Sequence, residues 1–157
     1  MFGEQYIKHG DNYKLLWDIY DVERNCPFDL WIGLLPNSTS ITDLDYDAIT
    51  ETTLIYKLAC RSDISPSKMK ILMHENSVKM GLRGMMSMRG EKNYKKDEFE
   101  PNMSKVDTTG LNEFEQILAL SGRYENEKDF NGMPSVFLRF AKKQWMKFIE
   151  KDEFEQL

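Results

Sequence analysis

The sequence predicts a mainly α protein: a small helical domain with a short, wing-like β-hairpin and a C-terminal amphipathic helix. Three observations carry this expectation. Residues 134–151 place Phe137, Phe140, Ala141, Trp145, Phe148 and Ile149 at steps of three and four, which gathers apolar groups on one helical face. Ser65 suits an N-cap and Pro66 a first helical position, and Ile64 and Met69 fall where a hydrophobic staple would close. Residues 53–61 hold no Gly or Pro and repeat Ile55, Leu58 and Ala59 at helical spacing.

In chain order, residues 1–10 have little periodicity and read as an arm or a lone strand. Residues 12–24 fit two templates: Tyr13, Leu16, Trp17 and Tyr20 mark one face of a helix, while Tyr13, Leu15, Trp17 and Ile19 alternate as in a strand. The helix is preferred, capped by Asp11 or Asn12. Cys26-Pro27 breaks the chain, and the apolar segment 28–35, closed by Pro36, sends Trp31 and Leu34 toward a core. After the polar loop 37–42 a helix is expected over 43–61, with a break near Thr52 and Thr53, and another over 66–74. From Val78 to Gly84 apolar residues alternate with small or basic ones, and Met86 and Met88 extend the pattern, which gives the hairpin; a pliable Met-rich helix is the alternative. Residues 90–109 are polar and charged, marking a linker. Helices over about 109–121, capped by Thr108 or Thr109, and over 134–151 complete the chain. The expected division is a helical domain at 1–90, a linker or mobile loop at 91–108 and a helical pair at 109–157.

At 157 residues, with 41% apolar and 12% aromatic side chains, the chain is long enough for one folded domain and too apolar for disorder. No apolar run reaches membrane-spanning length, and the first residues lack the basic and apolar stretches of a signal peptide, so the expected location is the cytoplasm or a virion assembled there. Cys26 and Cys60 are expected as buried thiols and not as a disulfide. Charge is segregated: net −7 over 1–52, +7 over 53–96 and −5 over 97–157. A basic middle between acidic ends suits a domain that meets phosphate with one face, although the same charges could pair within the chain.

The Leu58-Ala59 pair, the short turn and Ile64-Ser65-Pro66-Ser67 resemble the helix-turn-helix of bacterial and phage regulators. The resemblance covers residues 53–74 and departs from the family pattern at Ser62 and Asp63, where an apolar residue and Gly are usual. It implies a second helix entering the DNA major groove, with Ser67, Lys68 and Lys70 at the groove and Lys79, Arg83 and Arg89 on phosphates. Duplex DNA is then the expected partner, and the protein a non-enzymatic regulator. The alternative is a phage-type interaction factor, a host-takeover inhibitor or assembly protein, that docks acidic or aromatic surfaces, Trp145 and Phe148 among them, on a protein partner or a second copy. No catalytic residue, cofactor or metal is expected. His9 and His74 lie in no catalytic setting, and the four Cys and His residues lack the short spacing of a zinc site. Asp43, Asp45 and Asp47 alternate but lack the Gly and closing Glu of a calcium loop.

Overall fold

The computed structural model describes residues 1–63, 65–88 and 99–150. Its described residues form seven strands and two α-helices, so the mainly α expectation is overturned. Strands β1 (Phe2–His9) and β2 (Asn12–Tyr20) pair as a hairpin that joins no other strand among the described residues. Its two-residue turn places Gly10 at φ 63°, where a residue without Cβ is at ease. Strands β3 (Asp29–Leu34), β4 (Ser40–Thr42), β5 (Glu51–Arg61), β6 (Lys68–Glu75) and β7 (Val78–Met85) form a second sheet, antiparallel throughout. Its order is β3-β5-β6-β7, and β4 pairs with the start of β5 on the edge β3 also uses.

The strand assignment has a plain physical cause. β5 is rich in β-branched and aromatic residues, Thr52, Thr53, Ile55 and Tyr56, that fit a pleated surface. It is also buried on both faces for most of its length, so its apolar groups lose the period of two that marks a half-exposed strand. β6 has the same character: Met69, Ile71 and Met73 face one way, Leu72 and His74 the other, and all five are buried. The two helices expected across 53–74 are therefore replaced by β5, a connection and β6. Of the helix expected over 43–61, residues 43–50 are loop and the rest is β5, while the helix expected over 12–24 is β2, following the strand template. The strand read from Val78 is present as β7, and its hairpin partner is β6, joined through a turn with Asn76 at φ 50°.

Helix α1 (Glu113–Leu120) begins at a capping box of Asn112 and Glu115, and not at Thr108 or Thr109. Helix α2 (Ser135–Phe148) lies against β6 and β7. Its stripe of Phe137, Ala141, Trp145 and Phe148, followed by Ile149, meets Ile55, Met69, Ile71, Met73, Met80 and Leu82 from the sheet in one core. Trp145 is fully buried, donates from Nε1 to the Gly122 carbonyl at 2.8 Å and stands edge-on to Tyr124 at 5.5 Å. Tyr124 in turn bridges β7 at Gly84.

The sheet's other face carries a smaller cluster, Ile19, Tyr56 and Leu72 with Met1, Trp17 and Leu54, on which the hairpin sits. Leu34, expected inside, is largely exposed, and Leu35 takes the buried place. Cys26 and Cys60 form a disulfide with Cα atoms 5.8 Å apart, which corrects the expectation of free thiols and ties the segment before β3 to the end of β5.

A Cβ added at Gly84 would lie 2.1 Å from the Arg123 carbonyl oxygen and 2.6 Å from Tyr124 Cα, both backbone atoms that cannot swing aside. Gly84→Ala is expected to cost about 3 kcal/mol or more by overpacking. Gly3→Ala, with nothing within 4 Å of the new atom, should change stability little. Chemical denaturation of both variants checks this; an unperturbed Gly84→Ala would contradict the close approach.

Candidate functional site

The residues expected to bind DNA share strands but do not form a free cationic face. Lys68 and Lys70 project to the hairpin side of β6; Lys68 is exposed, while Lys70 meets Asp21 at 2.5 Å. Arg83, opposite Lys70 on β7, pairs with Asp129 at 2.8 Å. Lys79 is exposed near the far end of β7. Ser67 is buried, and its carbonyl accepts from Met86 N–H at 2.8 Å, so it cannot reach a groove. Arg89 lies outside the described residues. Trp145 and Phe148, expected as partner contacts, are wholly inside the core, because the stripe they belong to is the one that seats α2 on the sheet.

What the fold does leave exposed is the hairpin. Its inner half is seated through Gln5, Trp17 and Ile19, whose alternation with Glu4 and Asp18 separates a buried from a solvated face. A register shift between Gln5 and Tyr6 marks a bulge, and beyond it the alternation is lost. Tyr6, Ile7, Tyr13 and Leu15 are 50%, 48%, 69% and 43% exposed, large apolar groups left partly open to solvent on paired strands. The sequence signal was the strand template over Tyr13 to Ile19 with Gly10 at a two-residue turn.

The seat itself is a set of specific contacts. Asp21 follows β2 and accepts from Tyr56 Oη at 2.8 Å and from Lys70 Nζ. The amino terminus donates to the Asp21 carbonyl at 2.6 Å. Burial alone would raise the Asp21 carboxyl, yet the hydrogen bonds from Lys70 and Tyr56, with the charges of Lys70 and the amino terminus, outweigh it and hold the group below its ordinary range. Burial, then the hydrogen bond to Asp21, pushes the Tyr56 hydroxyl well above its usual value. At the other end Thr52 donates to Gln5 Oε1 at 2.9 Å, and the Trp17 ring stacks on His74 at 4.3 Å with 24° between planes. His74 is 3% exposed and neither ring nitrogen has a hydrogen-bond partner. Burial, helped by the charge of Lys79, lowers its pKa to about 4. A cleft of about 390 Å³ opens beside this stack, lined by Gln5, Tyr6, Trp17, Thr50 and Asn76 as well as His74.

On the sheet's α2 side, carboxylates converge at the start of β5. Glu51 and Glu75 are direct cross-strand partners, and loop residues Asp43, Asp45 and Asp47 close over them. Glu51 is fully buried and accepts from Thr42 Oγ1 at 2.8 Å and from Leu44 N–H. Amides of Ala48 and Ile49 serve Asp43 and Asp47. One oxygen each of Asp43, Asp45 and Glu75 has no partner. Burial first, and then the neighbouring carboxylates led by Asp47 and Asp45, raise the Glu75 pKa. Acidic side chains converge in this way in many proteins without an ion, and we assign none here; the cluster is an electrostatic seam held by backbone amides. It was visible as Asp43, Asp45 and Asp47, whereas Glu51 and Glu75 enter only through strand pairing.

Comparison with family models, with curated proteins and with solved structures finds no match to this chain.

Because Glu75 has a raised pKa, its ionised form is disfavoured by folding, and that penalty is present at neutral pH and absent once the group is protonated. Glu75→Gln should therefore stabilise the protein at pH 7 by about 0.2–1 kcal/mol, the usual cost of like charges facing across a ladder. The gain should vanish on acidification. Thermal melts at neutral and acid pH test it, and a loss of stability at pH 7 would contradict the seam.

Proposed function

We propose that this chain is a non-enzymatic interaction module that takes an extended segment of a partner protein onto the edge of hairpin β1–β2. One observation supports this most: the outer half of the hairpin holds Tyr6, Ile7, Tyr13 and Leu15 partly exposed in ordered strands whose outer edges pair with no other strand among the described residues. Exposed strand edges carry rows of unpaired N–H and C=O groups, and proteins normally blunt them unless they are used. Strand addition would satisfy those groups, and the apolar side chains would give specificity at alternate positions. Lys8 and Lys14 flank them, so a partner strand with acidic residues beside its apolar ones fits best.

The nucleic-acid reading has less behind it. Two of its expected contacts, Lys70 and Arg83, are matched with the chain's own carboxylates, and Ser67 is buried. No helix among the described residues is long and apolar enough to cross a membrane. The Cys26–Cys60 bond favours an oxidising surrounding over the reducing cytoplasm first expected.

Photo-crosslinking side chains placed at Ile7 and at Tyr13 in the native host should trap one and the same protein, while a crosslinker at Lys68 should not. Tyr6→Lys combined with Tyr13→Lys should weaken that complex by about ten- to a hundredfold, the usual effect of removing aromatic anchors. Equal crosslinking from all three positions, or undiminished binding by the double variant, would sink the proposal; self-crosslinking alone would replace it with dimerisation.

A further inference from the structure

We propose that His74 is an acid-sensitive latch: protonating its buried ring releases hairpin β1–β2 from the sheet while the β3–β7 sheet and α2 stay folded. This goes beyond the partner reading and does not need it, since the experiment below reads the hairpin's seat and no partner.

The geometry is specific. His74 is the only described histidine inside the protein; His9, at the hairpin turn, is exposed. Its ring forms the floor under Trp17, and its two nitrogens bond to nothing. A neutral imidazole tolerates that position as a flat, weakly polar filler. An imidazolium does not, because it brings two N–H donors and a full charge into a place with no acceptor. The groups packed around it give no compensation. β2 supplies Trp17 and β5 supplies Thr52, whose hydroxyl is committed to Gln5 of β1. β1 also supplies Tyr6, whose hydroxyl donates to Glu4. Residues 48–50 of the loop bring no charge, and the β6–β7 turn brings Asn76. β7 sets Lys79 directly opposite, a second positive charge that adds to the repulsion. Glu75 and its acidic neighbours are on the other face of the sheet, consistent with the alternation along β6.

The penalty falls on the hairpin because the hairpin is the separable layer. It shares no backbone ladder with the β3–β7 sheet among the described residues, and its buried apolar seat is one small cluster, its own Ile19 with Tyr56 and Leu72 of the sheet, whereas the other face is anchored by α2 and a core several times larger. Isolated two-stranded hairpins are marginal without such a seat. Sub-global opening of a weakly held unit is the expected response. The sign follows: His74 binds its proton more weakly folded, at about 4 against an ordinary 6.5, so stability of the seat is full above pH 6.5 and is lost as pH falls toward 4.

The test is a pH titration of the full chain by two-dimensional NMR, following the two histidine rings, the Trp17 indole and the amides of β1, β2, β5 and α2. The expected result is that His74 titrates well below 6.5, and that the β1 and β2 amides collapse to unstructured shifts together with it while β5 and α2 persist. His74→Phe keeps the stack on Trp17 and should abolish the hairpin transition across this range. If His74 titrates at or above 6.5, if hairpin and α2 lose structure together in the wild type, or if folded His74→Phe still releases the hairpin at the same pH, the latch is wrong. The wild-type titration decides the matter even where the variant fails to fold.

Discussion

Two strands that must be covered on both faces set the terms for everything else in this protein. β5 and β6 are the middle of the larger sheet, and side chains on each of their surfaces are excluded from water. One surface receives α2, whose aromatic stripe fills the space over Met69, Ile71 and Met73. The other receives the hairpin, a smaller and more polar cover. Burial stabilises in proportion to apolar area removed from water, so the two covers differ greatly in strength. The molecule is in effect a three-layer structure with a strong and a weak outer layer.

The weak layer is where polar interactions decide the outcome. A thin apolar cluster is supplemented by the Asp21 clamp to Tyr56 and Lys70, by the Gln5–Thr52 bond and by the stack of Trp17 on His74. Such contacts fix register and orientation well but add modest free energy each. Lys70 in this clamp, and Arg83 in a surface pair with Asp129, are two basic side chains of the middle third matched within the chain. The charge segregation seen along the chain is therefore partly an internal pairing scheme, while the outer half of the hairpin leaves aromatic and aliphatic groups open to solvent.

How much of this could be read from the sequence depends on how many sides of an element face water. α2 was legible because only one of its faces is buried, and of the residues named for it all but the half-buried Phe140 are inside the core. α1 was legible to within a few residues at its start. β7 was legible because Lys79 and Arg83 alternate with buried Met80 and Leu82. β5 and β6 were not, since two buried faces erase the alternation and leave a run that helical spacing also matches by chance. The Ser65-Pro66 start looked like a cap, yet Pro also suits the entry to a strand, where a missing N–H is harmless. β2 fitted two templates, and only tertiary packing chose between them, while β1 showed little periodicity of its own. The Cys26–Cys60 pair, the Glu51–Glu75 partnership and the burial of His74 each join residues distant in sequence or hidden by strand register, so no local pattern announces them.

The most direct measurement of the layered account is native-state hydrogen exchange at neutral pH, residue by residue. The account predicts that amides in the β5–β6 ladder exchange only through global unfolding, while ladder amides of β1 and β2 exchange through a separate opening of clearly lower free energy. Equal protection of the hairpin and the central strands, with the same dependence on denaturant, would contradict it.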